Sequence, residues 1–313
     1  MHKSRRGWLD VNAIKKYRSM YLFLLPAVLV TVIFSYVPMM GLIMAFENYK
    51  PRLGYFHSPF VGFAHFREFM TQHDFYLAFK NTILLNGLMI LIGFPLPILF
   101  ALLINEIRFA AFKRVTQTIT YLPHFISWVV VSGLVYIFLE DEYGSVNVLL
   151  QWLGFDSIGF MREPKYFWGV FVAVSVWKEI GWNSIVFLAA LTGIDQEQYE
   201  AATIDGAGRF QKLRYITIPG IAPVIGLMFI FTVATIFGAN GSGGANFDAI
   251  YNMSNPLVMD TALTLDYHVY MAGIRYNNPS YGAAVGMVIS ALSLFLLLVT
   301  NRIGKKISGY GAF

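Results

Sequence analysis

Six apolar runs, each close to the roughly 20 residues that a helix needs to cross a bilayer, limit what this chain can fold into. They cover residues 21–46, 81–104, 117–139, 166–194, 218–239 and 281–303, and charged residues bound them. Lipid supplies no hydrogen-bond partners, so a lipid-facing backbone must satisfy its own and each run reads as a helix. Composition agrees: 57% of residues are hydrophobic and 13% charged, against about a quarter charged in soluble proteins. The expected fold is an all-α integral membrane protein of six spans. A basic tail over 1–20 precedes a membrane domain over 21–303, and a second tail over 304–313 follows it. The run that begins at Tyr21 is too long for the core of a cleaved signal peptide.

Basic residues fix the expected sidedness. Lys3, Arg5, Arg6, Lys15, Lys16 and Arg18, then Arg108, Lys113 and Arg114, then Arg209, Lys212 and Arg214, and finally Arg302, Lys305 and Lys306 fall on one side. The positive-inside rule makes that side cytoplasmic and puts both termini there, in a multi-pass membrane protein. The net charge of +5 therefore belongs to span ends facing lipid and gives no reason to expect a nucleic-acid partner. With no cysteine, disulfides and thiolate metal sites are excluded.

On the opposite side three loops remain. Residues 50–74 carry Tyr55, Phe56, Phe60, Phe63, Phe66 and Phe69, which suit a membrane surface, and 140–165 carry Glu140, Asp141, Glu142 and Asp156, which suit a solvated face. The longest loop, 240–280, opens on a glycine-rich stretch. Its Leu257, Leu263, Leu265, Val269 and Met271 interleave with Asp260, Asp266 and His268. Those charges forbid a lipid-exposed crossing, so the expectation is a re-entrant or surface-lying amphipathic helix before the last span.

Residues 195–219 are polar and glycine-containing, yet they lie between two spans on the cytoplasmic side. Asp195 is placed to cap a helix that Gly206 stops, and a second basic segment leads to Pro219. Glu200, Ala201 and Ala202, then Gly206, then Ile216, Ile218 and Pro219 resemble the EAA loop of binding-protein-dependent ABC importer permeases. Asp205, Gly206 and Ala207 resemble the form found in the carbohydrate-uptake, maltose-type branch, although Ile218 stands where that family more often has leucine. The stretches TALTLDYHVYMAGI and YGAAVGMVISALSLFLLLVTNRIGKK resemble the permeases for oligosaccharides and polysaccharide fragments.

The resemblance implies a coupling helix at Glu200, Ala201, Ala202, Asp205, Gly206 and Ala207 that docks on an ATP-hydrolysing subunit. It also implies two such ABC ATPase subunits holding ATP and Mg, a second homologous permease as heterodimer partner, and an extracytoplasmic sugar-binding protein. The spans on either side of the loop are then expected to line the path.

Span four carries Lys178 and Glu179 halfway along its apolar run, and ionisable groups at that depth mark function by default. Trp177, Trp182 and Asn183 add apolar faces and hydrogen-bonding groups, the mixture that sugar rings require. Structural pairing of Lys178 and Glu179 with neighbouring helices explains the charges equally well. As neighbours in sequence they point in different directions and are not expected to pair with each other. Thr232, Thr235 and Asn240 are further path candidates, set against hydroxyls bonded back to their own helix.

No phosphate loop, paired carboxylates or metal-ligand spacing occurs, and His57, His65 and His73 recur at an interval that suits neither helix nor strand. The chain is thus expected to bind no cofactor or metal and to be no enzyme. Two alternatives stand beside an importer permease. One is a membrane enzyme or scaffold for lipid-linked sugars, with Lys178 and Glu179 as acid and base; the other is an ion-coupled secondary transporter.

Overall fold

The computed structural model describes residues 17–237 and 247–308, which are helical throughout apart from short connections and one isolated bridge between Glu47 and Phe60. Residues 1–16, which hold most of the basic tail, and Asn240 lie outside the described residues.

Among the described residues, five helices are long and apolar enough to cross a membrane: Arg18–Phe46, His73–Glu106, Pro164–Thr192, Arg209–Ala234 and Pro279–Lys306. The third expected span, 117–139, is not one helix. It is a pair, Ala110–Phe125 and Trp128–Phe138, bent by 100° at the break, so the count reaches six only if the bent pair is taken as one span. Two other boundaries differ for a common reason. The second helix begins at His73 and the fifth at Arg209, because helical hydrogen bonding continues from the spans into polar flanks that hydropathy alone assigns to loops.

Prolines shape three spans in the same way. The turns before Pro38, Pro95 and Pro219 widen into five-residue π segments at Val32–Tyr36, Met89–Gly93 and Leu213–Thr217. In each, the residue just ahead of the proline donates its N–H five residues back: Val37 to Val32, Phe94 to Met89 and Ile218 to Leu213. A proline ring collides with the carbonyl four residues earlier in a regular helix, at about 3 kcal/mol or more. The wider turn makes room for it and keeps the span continuous.

Side chains pack into two separate apolar cores. One lies at the end of the bundle that carries 195–219 and gathers Ala101, Ile104, Phe187, Leu188, Leu191, Ile194 and Ile221. The other lies at the far end and includes Phe69, Phe75, Trp128, Phe167, Phe171, Met253, Leu265 and Tyr281. Described residues within 240–280 contribute to this second core and do not form a surface-lying helix, while Leu257 and Asp260 stay exposed. In place of one amphipathic helix they form Phe247–Met253, Met259–Ala262 and Leu265–Tyr270, with Ile250, Val258, Ala262 and Leu265 fully buried.

Buried hydrogen bonds explain why the segment is held inward. The Asn81 amide donates to the carbonyls of Asp260 and Leu263, and the Trp168 indole donates to Thr261, so the short helices end on polar groups presented by the spans. Packing there raises the Asp266 carboxyl to about 7 and lowers the His268 imidazole, both through loss of solvent.

Candidate functional site

The bend in the third span breaks an apolar helix by 100°. After Tyr121 the chain tightens into a short turn at Leu122–Phe125, with Pro123 at its start and extended backbone at Ile126. Ser127 then caps the next helix by accepting from the Val130 N–H at 3.4 Å. A break inside an apolar span frees backbone carbonyls, which must find donors in the protein because lipid offers none.

Lys178 is the donor. Its side chain is 4% exposed, and Nζ reaches the His124 carbonyl at 2.5 Å and the Pro123 carbonyl at 3.3 Å. Trp128 places its ring 5.5 Å beneath the same ammonium. Glu179 turns to the same break: its Oε2 lies 2.7 Å from His124 Nδ1, and its Oε1 lies 3.5 Å from Lys178 Nζ. The expectation that Lys178 and Glu179 would not pair is therefore corrected. Their backbone positions diverge, but both side chains are long enough to converge on the one polar target that the break supplies.

Trp182 completes the group. Residues 178, 179 and 182 share one helical face, and the Trp182 ring stacks flat on His124 at 4.2 Å with 1° between the planes. Phe125 meets it edge-on at 5.5 Å and 82°. Close helix approach makes these contacts reachable. Gly181 packs directly on the Thr120 backbone, and a Cβ placed there would stand 2.5 Å from the Thr120 carbonyl carbon.

Other candidates fall outside this cluster. Trp177 is 48% exposed and lies about 140° round the helix from Trp182. Asn183 is exposed. Thr232 and Thr235 donate to carbonyls of their own helix, at Met228 and at Phe231 and Thr232 respectively. Sequence reasoning missed His124 and Phe125 altogether. The signal available was Pro123 followed by a histidine and a serine inside an apolar run, a pattern that interrupts a span and caps the next helix.

The polar belt on the fourth span sits between the two cores: side chains of the far core end at Phe171, and those of the loop-end core begin at Phe187. Ser175, Lys178, Glu179, Asn183 and Ser184 bring polar side chains into the interval, beside Trp182.

At the end of the loop-end core the segment 195–219 folds into a helix at Gln196–Ile204, a turn, and a second helix from Arg209 that runs on into the fifth span. The Asp195 carboxylate accepts from the Glu197 N–H at 3.0 Å, and Gly206 takes a φ of +79°. Two contacts staple the elbow: Lys212 Nζ donates to Thr203 at 2.7 Å, and the Tyr199 and Thr217 hydroxyls lie 2.9 Å apart. Glu200 and Ala201 are exposed, as are Ile204 (88%), Phe210 (71%) and Tyr215 (69%), an unusual concentration of uncovered apolar groups on a polar elbow.

Residues 93–309 match the family described as binding-protein-dependent transport system inner membrane component. The chain is 40% identical to protein LplB of Bacillus subtilis over 98% of its own length and 95% of that protein. It is 37% identical to the polygalacturonan/rhamnogalacturonan transport system permease protein YteP of the same organism, over 99% and 95%. Among solved structures it is similar to a bacterial ABC transporter involved in import of the acidic polysaccharide alginate, with a TM-score of 0.86 and 36% identity over 95% of this chain and 98% of that one. By family match and by whole-length likeness together, the chain belongs to the binding-protein-dependent transport system inner membrane components.

Proposed function

We propose that this chain is one permease subunit of an ATP-driven importer that moves an oligosaccharide across the bacterial cytoplasmic membrane. The observation that carries the substrate class is the belt between the two cores, where Trp182 and Phe125 offer apolar ring faces beside Glu179 and His124. Sugars present C–H faces and hydroxyls together, and such a wall matches both. Family membership and the sugar-transport names of its relatives support the same reading.

In this proposal an extracytoplasmic binding protein delivers the sugar at the far end. Glu200, Ala201, Ala202, Asp205, Gly206 and Ala207 seat in a cleft of an ATPase subunit, one of two that hold ATP and Mg, and the exposed Ile204, Phe210 and Tyr215 extend that contact. A second, homologous permease supplies the rest of the path wall. Both termini face the cytoplasm, in keeping with the distribution of lysine and arginine. The chain itself performs no catalysis.

The test is to purify the tagged protein from membranes and reconstitute what accompanies it. A second permease and an ATPase are expected to co-purify, with uptake driven by ATP and indifferent to ion gradients. Glu200→Lys is expected to assemble normally and abolish uptake. Uptake sustained by an ion gradient alone, or wild-type uptake in Glu200→Lys, rules out the coupled reading.

A further inference from the structure

We infer that His124 is a specificity-determining residue of the path, contacting the cargo through its free ring nitrogen, while Lys178 is a positioning residue that never reaches it. The inference rests on the sugar-import reading above and names a residue on the broken third span as the partner of Trp182.

The chemistry follows from how the ring is held. Nδ1 is taken by Glu179 at 2.7 Å, and one ring face is covered by Trp182 at 4.2 Å. Nε2 has no partner among the described residues, and the His124 side chain is 28% exposed. A neutral ring that donates Nδ1–H to Glu179 offers its Nε2 lone pair to a sugar hydroxyl, and a doubly protonated ring offers Nε2–H to a sugar oxygen, so Nε2 gives a directional hydrogen bond in either form. Phe125 (71% exposed) and Trp182 (40% exposed) stand at right angles beside it, a corner that receives the C–H face of the same ring. His124 thereby supplies direction where the aromatic rings supply only area.

Lys178 has the opposite character. Its ammonium is spent on the Pro123 and His124 carbonyls and on Glu179, and its side chain is 4% exposed. An anionic sugar has no access to that charge. Lys178 instead holds the backbone of His124 at the bend and so sets where Nε2 points.

Because the natural chain lacks cysteine, single thiols report water access cleanly. In membrane vesicles holding the whole complex, His124→Cys and Phe125→Cys are expected to react with a hydrophilic maleimide at least tenfold faster than Ser184→Cys, which is fully buried. Labelling is read on this chain's own band, with and without trapped ATP. Rates at His124→Cys and Phe125→Cys no higher than at Ser184→Cys in both nucleotide states overturn the inference.

Uptake then tests the contact, with trigalacturonate as the acidic probe and arabinotriose as the neutral one. His124→Phe keeps the stack and removes both nitrogens, so it is expected to cut uptake at least tenfold, and His124→Gln to recover it to within threefold of wild type. Lys178→Met is expected to lower both probes by the same factor, whereas a loss confined to trigalacturonate shows that Lys178 meets the cargo. Wild-type uptake in His124→Phe removes His124 from the site. If the wild-type complex takes up neither probe, the sugar reading fails while the labelling still decides whether the bend lines a water path.

Discussion

The elbow at 195–219 and the break at Leu122–Phe125 interrupt this apolar chain in opposite ways. The elbow at 195–219 is exposed, and its backbone N–H groups at Glu197 and Gly208 are met by side chains of the same segment, the Asp195 carboxylate and Gln211, while Lys212 ties its side chain to that of Thr203. The break at Leu122–Phe125 lies inside the bundle and draws its donor from another span, 54 residues along the chain at the His124 carbonyl. The elbow is exposed, so water can replace any contact it loses. The break has no such replacement, so its geometry depends on one buried ammonium.

Three substitutions separate the two designs, measured as thermal stability of the solubilised complex. The largest effect is expected from Lys178→Met. It strips the His124 carbonyl of its donor and leaves Glu179 without its cation, a loss of about 3 kcal/mol on the scale of a broken buried pair. An unchanged melting temperature would show that the break holds itself. Next comes Gly181→Ala, where the added methyl meets the Thr120 backbone and forces the third and fourth spans apart, at about 1–3 kcal/mol. Stacking of Trp182 on His124 should loosen with it, which an altered tryptophan emission would register. The smallest effect belongs to the elbow. Gly206→Ala places a side chain at φ +79° with open space around it, so only backbone strain is felt, at about 1 kcal/mol. Should Gly206→Ala destabilise more than Gly181→Ala, the contrast between a self-contained elbow and a dependent break is wrong.

Spans and elbow were legible in the sequence to different degrees for physical reasons. Run length and charge located five of the spans, because bilayer thickness imposes the count on any chain that crosses it. Hydropathy could not find the bend, since Leu122, Phe125 and Ile126 are as apolar in a kink as in a straight helix. It left 240–280 as re-entrant or surface-lying on the charge of Asp260, Asp266 and His268, and only tertiary packing ties the carbonyls of Asp260 and Thr261 to Asn81 and Trp168.

Lys178, Glu179 and Trp182 could be singled out from sequence because charge and indole groups at mid-span are rare and expensive. Their partners could not, because a lysine at that depth is compatible with many targets and local spacing names none of them. The order of residues thus determined that the chain crosses a membrane, roughly where, and which polar elbow interrupts it. Only the packed structure decided that Lys178 serves the backbone and that His124 is held between Glu179 and Trp182. A freed carbonyl is satisfied by whichever donor folding brings within reach, and that choice is made in three dimensions.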